Sequence, residues 1–151
     1  MTLTVADLRG AIDRLVVAMA RDFDALNTAD GALGDGDLGV TLTRGTKAMQ
    51  EAAPTLPEDL GQALLACAQA FTRTSGSSYG TLMATGLMSM AKALKGRTGV
   101  EASEVSALIA GALAWPLGKF VADLPFPYLA ALGTALACYI AVALFERRHN
   151  G

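Results

Sequence analysis

Apolar residues recur at helical spacing along most of this chain, and no segment carries the strict alternation of a half-buried strand. Leu8, Ile12, Leu15, Met19, Phe23 and Leu26 form one stripe, which predicts a first helix from about Val5 to Leu26. Thr4 can cap it, with Asp7 completing a capping box. A second helix is expected over Val40 to Glu51. A third begins at Thr55-Leu56-Pro57-Glu58, where a capping residue, an early proline and a glutamate coincide. Its stripe is Leu60, Leu64, Cys67 and Phe71. A fourth helix follows Gly80 and runs to about Lys95. Gly96 to Gly99 is a turn, and a fifth helix starts at Ser103 and ends before Pro116. The expected fold class is therefore all-α, with two small-residue loops, Asn27 to Gly39 and Arg73 to Gly80, between helices.

A chain of 151 residues suits one domain with a sizeable core. Its net charge of -2 gives no electrostatic case for nucleic acid as a partner. Cys67 and Cys138 lie in apolar runs without metal-type spacing and read as buried free thiols. Asp7, Arg9, Asp13 and Arg14 interrupt any secretory apolar region, so the first part of the chain reads as cytoplasmic. Leu124 to Phe145 contains no charged residue, and Tyr128 to Phe145 can be helical. That length reaches the roughly 18 to 20 residues of a membrane span, and a buried helix of an all-α domain reads the same way. Both readings stay open: a docked helix, or a membrane anchor through residues 124–145.

The chemistry is concentrated in Asp30-Gly31-Ala32-Leu33-Gly34-Asp35-Gly36-Asp37-Leu38-Gly39. Carboxylates this close repel one another unless a cation neutralises them. The intervening glycines let the backbone turn several side chains toward one point. Aspartate oxygens suit magnesium or calcium. The EF-hand pattern fails: counted from Asp30 or from Asp35, position 12 is Thr41 or Thr46 instead of glutamate. A solvated acidic turn is the plain alternative. The second loop, Thr74-Ser75-Gly76-Ser77-Ser78-Tyr79-Gly80-Thr81, lies directly before a helix. Hydroxyls and glycines at a helix start present backbone N–H groups to an anion such as phosphate. It is not a P-loop, because the lysine-containing pattern is absent. By itself it reads equally well as a serine-rich cap. One loop of carboxylates and one of amides together make what a magnesium–nucleotide site needs. The metal candidates are Asp30, Asp35 and Asp37; the phosphate candidates are Ser75, Gly76, Ser77, Ser78, Gly80 and Thr81. No residue stands out as a catalytic base, and the single histidine, His149, lies in the terminal tail.

Leu26-Asn27, Asp30, Gly34-Asp35-Gly36-Asp37, Gly39 and Arg44-Gly45, followed by Ser75-Gly76-Ser77-Ser78-Tyr79-Gly80-Thr81, resemble the signature of the dihydroxyacetone kinase L-subunit (DhaL) family. The resemblance covers roughly residues 5–114. It implies an antiparallel helical barrel whose loops at one end hold ADP or ATP through two magnesium ions. Asp30, Asp35 and Asp37 match the family's metal ligands, and Ser77, Ser78 and Gly80 fall in its phosphate-contacting loop. It further implies a kinase component acting with a K-type substrate-binding subunit that holds a small hydroxyketone. The phosphate would come from ATP, or from a phosphotransferase-system protein recharging bound ADP. Leu38 stands where many members have histidine. The family's C-terminal segment near the nucleotide base has no counterpart in residues 115–151. The expectation is thus an incomplete barrel over residues 1–114 and an atypical apolar tail over 115–151. The alternative is a truncated, non-catalytic remnant that binds magnesium and phosphate, membrane-tethered if the tail spans a bilayer.

Overall fold

The computed structural model describes residues 1–32 and 34–121. Met1–Pro116 form one compact unit, and a second unit begins at Leu117. Six helices dominate: α1 (Val5–Arg21), α2 (Phe23–Gly31), α3 (Leu38–Ala52), α4 (Leu60–Thr74), α5 (Ser78–Ala93) and α6 (Ala102–Val121). The fold is all-α apart from a minimal antiparallel ladder, in which β1 (Thr2–Leu3) pairs with β2 (Val100–Glu101). Two residues per strand leave no period for a sequence pattern to reveal.

The first predicted helix is two. Asp22 leaves helical geometry at φ -97° and ψ 11°, and its backbone N–H still closes α1 on Ala18. Its carboxylate is held by Arg21 through two bonds of 2.8 Å. An aspartate can satisfy local partners outside a helix, so it suits such a break. The buried seam of α1 is also narrower than its apolar stripe. Val5 and Ile12 are fully buried and Met19 packs on the core, seven residues apart, whereas Leu15 at the stripe's edge is 43% exposed. At the N-terminus the Asp7 carboxylate accepts from the N–H and hydroxyl of Thr4, at 2.8 and 2.9 Å, forming that half of the expected capping box.

α3 is the organising helix and packs against α1, α2, α4 and α5. Gly45 gives the ring of Phe71 its place: a Cβ there would collide with it. The predicted stripe of α4, Leu60, Leu64, Cys67 and Phe71, is buried throughout. Gly61 lets α4 approach α5, since a Cβ would stand 2.6 Å from the Ala91 carbonyl oxygen. α4 starts later than expected. Ala53–Thr55 form a short 3-10 turn, Leu56 before Pro57 is extended, and Asp59 caps the helix by accepting from the Gln62 N–H at 2.8 Å. The proline disfavours helix at the residue before it, and Asp59 is the stronger cap because its other oxygen also accepts from the Gly96 N–H at 2.7 Å.

α6 begins one residue before Ser103 and continues past Pro116, where the sequence predicted an end. A proline removes one N–H and strains one turn, which kinks a helix without having to stop it. Among the described residues no helix is long and apolar enough to cross a membrane. The uncharged run 124–145, and with it most of the 115–151 tail, lies outside the described residues, as does Cys138. Cys67 is a buried free thiol, its pKa pushed up to about 11 by burial.

Candidate metal and phosphate site

Asp30 sits on the last turn of α2, Asp35 lies in the following loop, and Asp37 directly precedes α3. The chain doubles back between them. Gly36 takes φ +77°, a conformation that favours glycine. The Gly34 N–H donates to the Asp30 carbonyl at 2.6 Å, and a Cβ at Gly34 would stand only 2.9 Å from Asp30 Oδ1. Two further bonds pin the start of α3 onto α2: the Asp37 N–H donates to Asp30 Oδ2 at 2.9 Å, and the Gly39 N–H to Asn27 Oδ1 at 2.7 Å. A Cβ at Gly39 would meet the Phe23 carbonyl oxygen at 2.5 Å, so only glycine permits this approach.

The result is three carboxylates with ligand oxygens all within 4.8 Å of one another. Partial desolvation raises the Asp37 pKa above its ordinary value, and the charges of Asp35 and Asp30 raise it further, while Arg44 opposes them. Such a cluster is relieved by a cation, and its oxygen-only donor set fits a hard divalent ion such as magnesium. Asp35 and Asp37 are exposed and accessible to one.

The second loop is only Ser75 to Ser77, between α4 and α5. Ser77 caps α5, its Oγ accepting from the Gly80 N–H at 3.1 Å. The Thr81 N–H and hydroxyl both donate to the Ser77 carbonyl, at 3.0 and 3.2 Å. Ser75 is buried and donates its hydroxyl to the Phe71 carbonyl at 3.0 Å. Gly80 is needed for packing, since a Cβ would stand 2.5 Å from Ser75 Oγ; a Cβ at Gly76 would meet nothing within 4 Å.

Both loops open onto one pocket of about 330 Å³. Asp35, Asp37, Val40, Thr41 and Arg44 line one side, and Thr74, Ser75, Gly76 and Ser77 the other. Of the residues singled out from sequence, Asp35, Asp37, Ser75, Gly76 and Ser77 thus face it directly. Asp30 joins through the carboxylate cluster. Ser78, Gly80 and Thr81 lie outside the lining and shape the first turn of α5. Val40, Thr41, Arg44 and Thr74 were not assigned from sequence. The signal was available for two of them: Thr41 and Arg44 follow Asp37 by four and seven residues, which puts all three on one face of α3.

A family model, the DAK2 domain, matches residues 32–116, more than half of the chain. The chain belongs to the DAK2 domain family. This is the DhaL-type domain of dihydroxyacetone kinases, so the fold and the general role implied by the two loops agree with the match. It takes in Asp35, Asp37 and the whole of Ser75 to Thr81, while Asp30 lies just before it. Domains of this family generally bind ADP and act as kinase components beside a substrate-binding DhaK subunit. A search of curated proteins finds no match to the chain.

Proposed function

We propose that this chain is the nucleotide-binding component of a dihydroxyacetone-type kinase, holding Mg-ADP or Mg-ATP between its two loops. The observation that carries the reading is the shared pocket, where Asp35 and Asp37 on one wall face Ser75, Gly76 and Ser77 on the other. Asp30, Asp35 and Asp37 would hold magnesium, two ions by family resemblance. Magnesium, when bound, neutralises phosphate charge and so eases phosphoryl transfer. The chain's own part is positioning. Glycine-enforced closeness of α2 and α3 fixes the carboxylates before any ligand arrives. The short loop into α5 would offer phosphate backbone amides of a helix start and the Ser77 hydroxyl, since the hydroxyls of Thr74 and Ser75 already donate to the Phe71 carbonyl. The hydroxyketone would be held on a K-type partner subunit, and the phosphate supplied by ATP or by a phosphotransferase-system protein recharging bound ADP.

Calorimetric titration with Mg-ADP tests this directly. Saturable binding in magnesium that disappears in excess EDTA is the expected result. Equal binding in EDTA, or none in magnesium, would overturn the reading.

A further inference from the structure

Among the described residues lining the pocket, Arg44 is the single cationic side chain. It is exposed, and among the described residues it forms none of the ion pairs, which involve Arg9, Arg21, Arg97 and the N-terminus. Helical side chains lean toward the N-terminal end of their helix, so Arg44 leans toward Asp37 one to two turns earlier. Its charge is felt there, opposing the push of Asp35 and Asp30.

A second observation lies on the same face. Thr41 is only 6% exposed, yet it lines the pocket, and among the described residues its hydroxyl has no hydrogen-bond partner. Among the described residues the fully buried unpaired hydroxyl is that of Thr43, so the Thr41 oxygen keeps access to the pocket and can donate to a ligand there. The opposite wall, Thr74 to Ser77, offers only neutral donors. Three carboxylates and a diphosphate carry more negative charge than two divalent ions cancel, so an added cation is favourable where the phosphate sits.

We propose that Arg44 is a phosphate-binding residue of this pocket, its guanidinium gripping diphosphate oxygens from the α3 wall while Thr74 to Ser77 hold them from the other side. This rests on the nucleotide-site reading above and adds to it a residue and a charge. Guanidinium matches the paired oxygens of phosphate, which lysine does not. The rival role is electrostatic support of the acidic loop, with Arg44 serving Asp37 and never touching phosphate. The two differ in sign. A supporting cation repels metal, so its loss leaves metal binding equal or tighter and diphosphate binding unharmed apart from that. A phosphate ligand, once lost, weakens diphosphate binding alone.

The test uses the full chain as wild type, Arg44→Gln and Arg44→Lys, with thermal melts confirming that each is folded. The probes are Mn²⁺ alone, Mg-ADP and Mg-pyrophosphate, the last removing any contribution of the base. For Arg44→Gln, Mn²⁺ affinity should be unchanged or slightly higher, and both Mg-ADP and Mg-pyrophosphate weaker by about tenfold to a hundredfold. The salt dependence of Mg-ADP binding should flatten. Arg44→Lys should recover only part of the loss. Mg-ADP binding by Arg44→Gln within twofold of wild type, or an equal loss of Mn²⁺ binding, overturns the role of Arg44 and leaves the nucleotide site standing. A wild-type chain that binds no Mg-ADP overturns the nucleotide site and this inference with it.

Discussion

The backbone N–H of Asp37 donates to Oδ2 of Asp30 at 2.9 Å, so the first carboxylate of the cluster fixes the backbone of the last. Asp30 therefore has a structural task beside its proposed metal-binding one, while among the described residues no hydrogen bond ties the Asp35 side chain to the backbone. The two positions should respond differently to substitution.

Asp35→Asn should abolish metal-dependent nucleotide binding and leave the melting temperature unchanged or higher, because it relieves repulsion without removing a bond. Asp30→Ala should also abolish binding but lower the melting temperature, since the loop loses the bond that closes it. Mn²⁺ titration paired with thermal melts separates the two. Equal melting losses in both variants would show the loop to be held by something other than Asp30.

The pH dependence of the metal-free chain follows from opposite shifts at two aspartates. Asp37 is raised above 3.8, first by desolvation and then by Asp35 and Asp30. Its protonated form is favoured in the fold, so its stabilising contribution is present below 3.8 and lost as pH rises through the raised value. Asp7 is lowered by the N–H and then the hydroxyl of Thr4, so its contribution is present above 3.8 and lost as pH falls. At neutral pH, metal-free Asp37→Asn should melt no lower than wild type and Asp7→Asn should melt lower. Both differences should shrink below about pH 4. Adding Mg²⁺ at pH 7 should raise the melting temperature of wild type but not of Asp37→Asn. Melts across pH with and without metal provide the check.

Glycines at three positions make contrasting predictions. Gly45→Ala forces a methyl into the Phe71 ring and should cost about 1 to 3 kcal/mol by urea unfolding. Gly39→Ala should separate α3 from α2 at Phe23 and Asn27, weakening metal binding as well as stability. Gly76→Ala meets nothing within 4 Å and should leave unfolding unchanged. If that variant nonetheless loses Mg-ADP binding, the space above Gly76 is where phosphate approaches the backbone.

Much of this was legible in the sequence because helix period and loop chemistry are local. The α4 stripe from Leu60 to Phe71, the Thr4–Asp7 cap and the two loops needed no knowledge of distant contacts. The break at Asp22 was hidden because the apolar stripe runs straight through it to Phe23 and Leu26, and periodicity cannot register a local change of ψ. The start of α4 was misplaced because Thr55 and Asp59 both look like caps. The choice fell to Asp59, whose second oxygen binds Gly96, a partner far along the chain. Arg44 and Thr41 were hidden for a related reason. Their spacing from Asp37 is readable, but that this face of α3 meets Thr74 to Ser77 is a fact of packing.

The last prediction concerns turnover. This chain alone should show no kinase activity on free dihydroxyacetone, even with saturating Mg-ATP. Among the described residues, the pocket lining holds carboxylates, hydroxyls, a valine and Arg44. The carboxylates Asp35 and Asp37 belong to the cluster proposed to hold magnesium, and a metal-bound carboxylate makes a poor base for a hydroxyl proton. The guanidinium of Arg44 is a hydrogen-bond donor without an acceptor site and cannot take one. Among the described residues no lysine or histidine lines the pocket to form a covalent adduct with the ketone. On the proposed reading the site holds and neutralises phosphate, and the acceptor is brought to it. A coupled assay with and without an active K-type subunit measures this. Turnover only with the partner is expected. Turnover by the chain alone would mean that a substrate-binding group exists beyond this pocket. None in either case, with the partner active in another pairing, would leave a nucleotide-binding protein without kinase function.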